Sequence, residues 1–298
     1  MEGKIIKGVG GLYEVHVHDA KTQAPDVVYE CRAKGIFRKD RIRPLPGDCV
    51  EIAVLDREKK LGNIEKIGPR HNVLIRPAVA NVDQVLVIFA MAAPDPAFSL
   101  LDRFLVMMEM QDIPSILLFN KTDLADEKAM AAVRAIYEKS GYPVHFTSAA
   151  QKEGIEEVQR LLRGKTTTVA GPSGVGKSSL INLLQNEIHM ETGAVSEKIS
   201  RGRHTTRHTA LLCIDADTYI LDTPGFSSLD LPDIRKEELG SLFPEIRRLK
   251  DGCYFADCAH MAEPDCNVRK AVGEGEMSRE RYESYRAFYE ELKAKKRY

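Results

Sequence analysis

The eight residues Gly171-Pro172-Ser173-Gly174-Val175-Gly176-Lys177-Ser178 constrain this chain more than any other stretch. They stand between an apolar run at 166–170 and an amphipathic pattern at 178–185, so they read as a glycine-rich turn joining a strand to a helix. Such a turn curls backbone N–H groups around a phosphate chain and aims the positive end of the new helix at it. In that arrangement Lys177 reaches the β- and γ-phosphates and the Ser178 hydroxyl is a ligand for Mg²⁺, with Ser179 next to it on the first helical turn.

The base is read elsewhere in the chain. Asn120-Lys121-Thr122-Asp123 ends the apolar run 115–119. Guanine presents N1–H and its exocyclic amine side by side, and one carboxylate, that of Asp123, can accept both. Adenine offers no such pair, so the motif favours GTP over ATP. Ser148-Ala149-Ala150 closes the next apolar run, 144–147, where a backbone N–H would meet the guanine O6. Asp222-Thr223-Pro224-Gly225 closes the run 218–221; Asp222 would hold Mg²⁺ through water and the Gly225 N–H would meet the γ-phosphate.

A threonine that closes over Mg²⁺ is expected between the phosphate loop and Asp222. Gly202-Arg203-His204-Thr205-Thr206 supplies two, of which Thr206 is preferred. Phe226 follows Gly225, where many GTPases carry a water-orienting glutamine, and His204 is the residue we expect to take over that task.

The order of these motifs is unusual. The base-reading residues precede the phosphate loop, whereas the common order is the reverse. A doubly wound domain tolerates this if its old ends are joined and a new break is opened in a surface loop. Apolar runs at 85–90, 115–119, 144–147, 166–170 and 218–221, separated by helical patterns at 100–110, 125–140 and 155–162, fit a largely parallel sheet covered by helices.

Residues 1–68 have a different texture. Val15 and Val17 alternate with Glu14, His16 and His18; Val27, Tyr29 and Cys31 with Glu30 and Arg32; Val50, Ile52 and Val54 with Glu51. About five short strands in this length suit a small barrel of the OB type, and an SH3-like barrel fits the same pattern. Beyond residue 231 no strand pattern is seen. A terminal helix at 278–295 aligns Tyr282, Tyr285, Phe288, Tyr289 and Leu292 on one side, read as a packing face.

Cys253, Cys258, His260 and Cys266 supply three thiolates and one imidazole within fourteen residues, a full tetrahedral set for structural Zn²⁺. The other cysteines, Cys31, Cys49 and Cys213, fall on expected strands and read as buried free thiols. A formal charge of −1 means that any affinity for nucleic acid comes from local patches. Such patches lie at 32–43, where six Lys/Arg face one acid, and at 198–208 and 293–297. The amino terminus lacks the apolar core of a signal peptide and no apolar run is long enough to span a bilayer, so a cytoplasmic protein is expected.

With these motifs in this order, the chain resembles, over essentially its whole length, the circularly permuted, ribosome-small-subunit-dependent GTPase A family of bacteria. The resemblance implies a multidomain α/β protein: an RNA-binding OB-type β-barrel at 1–68, a circularly permuted P-loop GTPase domain at 69–230, and a zinc-binding helical domain at 231–298. It further implies GTP hydrolysis with Mg²⁺ during late maturation of the 30S subunit, stimulated by that subunit. The small subunit with its 16S rRNA, and GTP or GDP, are the partners implied, and nothing requires more than a monomer. The rival reading is an RNA-binding scaffold that senses GTP and hydrolyses it weakly.

Overall fold

A computed structural model describes residues 1–18, 27–35, 37, 42–74, 77–192, 209–222, 230–231 and 233–295, with the backbone alone at 186–192 and 222. In chain order the strands are β1 (Glu2–Val9), β2 (Leu12–Val17), β3 (Val27–Ala33), β4 (Cys49–Asp56), β5 (Leu61–Ile67), β6 (Val73–Leu74), β7 (Val79–Ala80), β8 (Gln84–Ala90), β9 (Ser115–Asn120), β10 (Val144–Phe146), β11 (Thr166–Ala170), β12 (Leu211–Cys213) and β13 (Tyr219–Asp222). The α-helices are α1 (Phe98–Glu109), α2 (Glu127–Tyr137), α3 (Ile155–Leu162), α4 (Lys177–Thr192), α5 (Pro244–Leu249), α6 (Asn267–Gly273) and α7 (Arg279–Ala294). Two compact units result. The first takes Met1–Gln84, Glu156–Val169 and Ile181–Pro224; the second takes Val85–Ile155, Ala170–Leu180 and Gly225–Tyr298.

The first unit is built around a closed barrel of order β1-β2-β3-β5-β4, in which β3 runs parallel to β5 and the other pairs are antiparallel. This five-stranded Greek-key order is that of an OB-type barrel. Ile5, Val15, Tyr29, Cys31, Val50, Ile52 and Ile64 fill its interior. Burial pushes the Cys31 thiol up to about 11, as expected of an inert core cysteine.

Two expectations for this unit are corrected. Cys49 is exposed, because β4 alternates and Val50 and Ile52 hold the inward register that leaves Cys49 and Glu51 outside. Cys213 is only half-buried. His16, expected to point outward beside Glu14 and His18, is 3% exposed. Its Nδ1 lies 2.8 Å from the Tyr219 hydroxyl of β13, so β2 is covered on its outer face as well. Lys4 joins the same contact, donating to Thr166 Oγ1 at 2.7 Å with its ammonium 4.6 Å from the Tyr219 ring centre. Beyond the barrel, β13 pairs parallel with β11 and antiparallel with β12.

In the second unit β8, β9 and β10 form a parallel ladder, with Val85 opposite Ser115 and Val144 opposite Leu117. Every residue of β8 and β9 is buried, which is why these strands read as continuous apolar runs rather than alternating ones. The segment read as one helix at 125–140 is instead α2 flanked by 3₁₀ turns at Thr122–Leu124 and Glu138–Ser140. Asp126 starts α2 by accepting the Ala129 N–H at 2.7 Å. That cap leaves the preceding residues free to form the tight turn carrying Asp123.

After β13 no further strand occurs among the described residues. Pro244 occupies the first position of α5, and Ser278 caps α7 by accepting the Arg281 N–H at 3.1 Å. Tyr282, Tyr285, Phe288, Tyr289 and Leu292 are buried in one core with Leu239, Phe243, Ile246 and Val106 of α1. The aromatic stripe is therefore a packing face, and each such side chain contributes about 1.5–3 kcal/mol of burial.

Arg281 lies on the same stripe and is 1% exposed. It donates to Glu245 through Nε at 2.7 Å and Nη2 at 3.1 Å, and to Asp102 of α1 through Nη1 at 2.7 Å. Tyr137 of α2 adds a hydroxyl to Asp102 at 3.1 Å. Burial works against the guanidinium's charge, but Asp102 and Glu245 hold it well above the ordinary arginine range. Burial also pushes Asp102 up, against the lowering pull of Arg281 and of its hydrogen bonds.

Candidate functional site

The phosphate loop leaves β11 at Gly171 and enters α4 at Lys177, both within or beside the second unit's short segment Ala170–Leu180. Two of its glycines are required by what surrounds them. A Cβ on Gly171, whose φ is +141°, would stand 2.1 Å from the Ile88 carbonyl oxygen of β8. One on Gly176, at φ +92°, would stand 2.3 Å from Asn120 Nδ2. The loop therefore lies flat on the end of the β8–β9 ladder.

Asn120, the last residue of β9 and 1% exposed, ties three segments together. Its Nδ2 donates to the Val175 carbonyl at 2.9 Å, while its Oδ1 accepts the Ala149 N–H at 3.1 Å and the Thr147 hydroxyl at 3.2 Å. Through these bonds Asn120 positions the loops around it. Asp123, in the 3₁₀ turn after β9, has an exposed carboxylate whose Oδ1 accepts the buried Ser148 hydroxyl at 2.5 Å. Ser148 Oγ in turn accepts the Gln151 N–H at 3.1 Å, and the Thr122 N–H reaches the Thr147 carbonyl at 3.2 Å. Lys121, in the left-handed region at φ +64°, sends its ammonium to the Ala93 carbonyl.

Lys177 folds back over the loop and donates to the carbonyls of Gly171 at 2.8 Å and Pro172 at 2.5 Å. Val175 is buried beneath the loop, whereas Ser173, Gly174, Ser178 and Ser179 are exposed and Pro172 is half-buried. An exposed rim of backbone and hydroxyls over a buried anchor, with a lysine beside a helix N-terminus, is what a polyphosphate requires. Asp222 ends β13, its backbone in register with Val169, two residues before Gly171. Its side chain, and Thr205, Thr206, His204, Gly225 and Phe226, lie outside the described residues.

A second cluster lies between α5 and α6. Cys253, Cys258, His260 and Cys266 bring one ligand atom each to within 4.8 Å of all the others. His260 Nδ1 stands 3.6 Å from Cys253 Sγ and 3.5 Å from Cys266 Sγ. Tetrahedral zinc, with Zn–S near 2.3 Å and Zn–N near 2.0–2.1 Å, sets sulfur and nitrogen roughly 3.6 Å apart, so these residues fit the ion. Burial first, and then the neighbouring sulfurs, push the Cys258 thiol up to about 12, so three thiolates need a cation among them. Burial lowers the His260 pKa, which keeps the imidazole in the neutral form that ligates metal.

Sequence reasoning missed the residues that hold this cluster in place. The Glu263 carboxylate accepts the N–H groups of Ala259, Met261 and Ala262 at 2.8–3.0 Å. The hydroxyls of Tyr282 and Tyr285 reach the carbonyls of His260 and Ala259 at 2.7 and 2.8 Å. The tyrosines were visible as a stripe, but nothing in their spacing reveals that their polar ends secure the metal loop.

Fold and site together define a guanine-nucleotide P-loop protein with permuted motifs, preceded in the sequence by an OB-type barrel and followed by a Cys₃His metal cluster. The RsgA GTPase family model matches residues 67–232 and the RsgA N-terminal domain model residues 2–64. A small ribosomal subunit biogenesis GTPase RsgA from Agathobacter rectalis is 54% identical over 302 aligned positions, covering 100% of both chains. One of the same name from Bacillus anthracis is 42% identical, covering 99% of this chain and 98% of its own. Crystal structures of YloQ, described as a circularly permuted GTPase, and of YjeQ from Thermotoga maritima each superpose with a TM-score of 0.80. Their identities are 39% and 35%, with coverage of 100% and 99% of this chain and 96% and 99% of theirs. The chain belongs to the RsgA GTPase family and is a GTP hydrolase.

Proposed function

We propose that this protein binds the small (30S) ribosomal subunit, assists its late maturation, and hydrolyses GTP to GDP and phosphate when that subunit stimulates it. The observation that carries the nucleotide half of this reading is the Asn120 clasp, which joins the base-reading turn at 120–123, the Ser148-Ala149 turn and the phosphate loop in one rigid arrangement. The ribosomal half rests on the names of the relatives, which are small ribosomal subunit biogenesis GTPases over the full length of the chain.

In this reading Asp123 accepts the two donors of guanine, and the Ala149 N–H, already oriented by Asn120, meets O6. Gly171, Pro172, Ser173, Gly174, Val175 and Gly176 wrap the phosphates. Lys177 leaves its two loop carbonyls for the β- and γ-phosphates, exchanging neutral acceptors for charged ones. Ser178, Thr206 and Asp222 would hold Mg²⁺, which supplies charge neutralisation at the transferring phosphoryl group. The Gly225 N–H meets the γ-phosphate, and His204 orients the attacking water. Zn²⁺ on Cys253, Cys258, His260 and Cys266 leaves no open ligand position and is structural.

The division into barrel (1–68), GTPase domain (69–230) and zinc-binding domain (231–298) belongs to the same proposal, supported by family matches that change over between residues 64 and 67. Among the described residues no helix is long and apolar enough to cross a membrane. We place the protein in the cytoplasm as a monomer, with 16S rRNA met through the basic patches. The second reading, an RNA-binding scaffold with a weakly hydrolytic switch, draws on Phe226 at the position of the usual glutamine.

The deciding experiment measures GTP turnover by the protein alone and with purified 30S or 50S subunits at one fixed salt concentration. Strong stimulation by 30S alone is expected. Turnover that stays negligible with every subunit would favour the scaffold.

A further inference from the structure

The cluster that holds the metal ligands opens on one side into a cleft of about 790 Å³, floored by Tyr285 and Tyr289. At its rim stand two consecutive aromatics, Tyr254 at 78% and Phe255 at 40% exposure, edge-to-face with ring centres 5.0 Å apart. Tyr254 is the most exposed large apolar side chain among the described residues. Adjacent exposed aromatics over a cleft are anchors for a partner rather than core residues displaced.

The charges around the cleft decide which partner. Asp251 and Asp257 flank the aromatic pair in sequence and line the cleft with it, both exposed. Glu237 adds a third carboxylate, against Lys236 and Lys250. Lys236 is engaged, its ammonium 3.8 Å from Glu237 and 5.7 Å from the Tyr289 ring centre. Among the described residues no arginine lines the cleft. A surface that stacks nucleobases sets cations beside its aromatics to neutralise the phosphates. Here the aromatics are flanked by carboxylates, which repel a polyanion and attract guanidinium or ammonium groups, and both aromatic faces can also take a cation.

We infer that this cleft is a docking site for a basic, apolar-bearing peptide segment of a protein partner, with an apolar side chain seated over Tyr285 and Tyr289 and Lys or Arg side chains against Asp251, Asp257 and the Tyr254 ring. None of the described nucleotide-binding residues lines this cleft, and docking there does not require GTP turnover.

The test uses the full-length, zinc-loaded chain without nucleotide, so its outcome is separate from that of the turnover assay. Fluorescence anisotropy would follow a labelled peptide of alternating arginine and leucine, a glutamate-leucine peptide of equal length, and a single-stranded oligouridylate. The arginine-leucine peptide is expected to bind and the glutamate-leucine peptide not. The double variants Tyr254→Ala/Phe255→Ala and Asp251→Asn/Asp257→Asn should each weaken it by about ten-fold or more, the size of loss that truncated anchor residues give. All four positions are exposed, and zinc content with an unchanged melting temperature would show that the variants are folded. Peptide binding that neither pair moves would overturn the inference. So would displacement of the peptide by oligouridylate together with tighter oligouridylate binding in the Asp251→Asn/Asp257→Asn protein, which would make the cleft an RNA contact.

Discussion

Asn120 and Gly176 approach so closely that a methyl group on Gly176 would stand 2.3 Å from the Asn120 amide nitrogen. The phosphate loop and the base-reading turn are thus one mechanical piece. Gly176→Ala meets both that overlap and a φ of +92°, and Asn120→Ala orphans the buried Val175 carbonyl and the Ala149 N–H. Each orphaned group costs about 1–3 kcal/mol, so GDP affinity in both variants should fall by about ten-fold or more. Titration with a fluorescent GDP would show it; wild-type affinity in Gly176→Ala would mean that the loop reseats itself.

Asp123→Asn exchanges one acceptor for a donor at the position expected to face guanine. Binding of GTP should drop by at least about a hundred-fold, because a matched pair of hydrogen bonds to the base becomes a mismatch. Xanthosine triphosphate, which carries an acceptor at the 2-position, should gain in its place. A competition assay between the two nucleotides decides the matter, and unchanged preference for GTP would remove Asp123 from base recognition.

The buried ion triad predicts a large loss on breaking it and a specific pH dependence. Arg281→Met leaves Asp102 and Glu245, both at most 2% exposed, without their cation, and should cost about 3–5 kcal/mol in denaturant unfolding. Because burial raises the folded pKa of Asp102, the protonated form is the one that folding favours. That contribution is complete below the unfolded value of about 4 and is lost as pH rises through the raised folded value. The stability of Asp102→Asn relative to wild type should therefore improve as pH increases above about 4. A difference flat across the range would mean that Asp102 stays ionised throughout.

Removal of zinc by a chelator, or Cys258→Ser, should loosen the core in which Tyr282, Tyr285 and Tyr289 are buried, because two of these tyrosines hold the metal loop through its carbonyls. Loss of near-ultraviolet tyrosine dichroism with most helical signal retained is the expected result. Elemental analysis should give one zinc per chain before treatment.

Much of the second unit was legible because its strands are buried on both faces and its turns carry fixed chemistry. The apolar runs at 85–90 and 115–119 needed no partner to be recognised, and the glycines of 171–176 have a single structural purpose. What escaped depends on neighbours remote in sequence. His16 keeps the polar phase of an ordinary alternating strand, and only Tyr219 arriving on its outer side makes it a core residue. Arg281 occupies a position in the same stripe as Tyr285, Phe288 and Leu292, a charged residue in an apolar row, yet its carboxylates come from 36 and 179 positions away. Glu263 looks like any loop acid until three backbone N–H groups turn toward it.

The bond from Arg281 to Asp102 also bears on how the protein is made. A chain emerging from its amino end presents α1, with Asp102 and Val106, long before α7 exists to cover them. Contacts across so many residues close late and slowly. Until α7 is released, this unit of the nascent chain exposes a carboxylate without its cation and an apolar face, so its maturation waits on the synthesis of that helix.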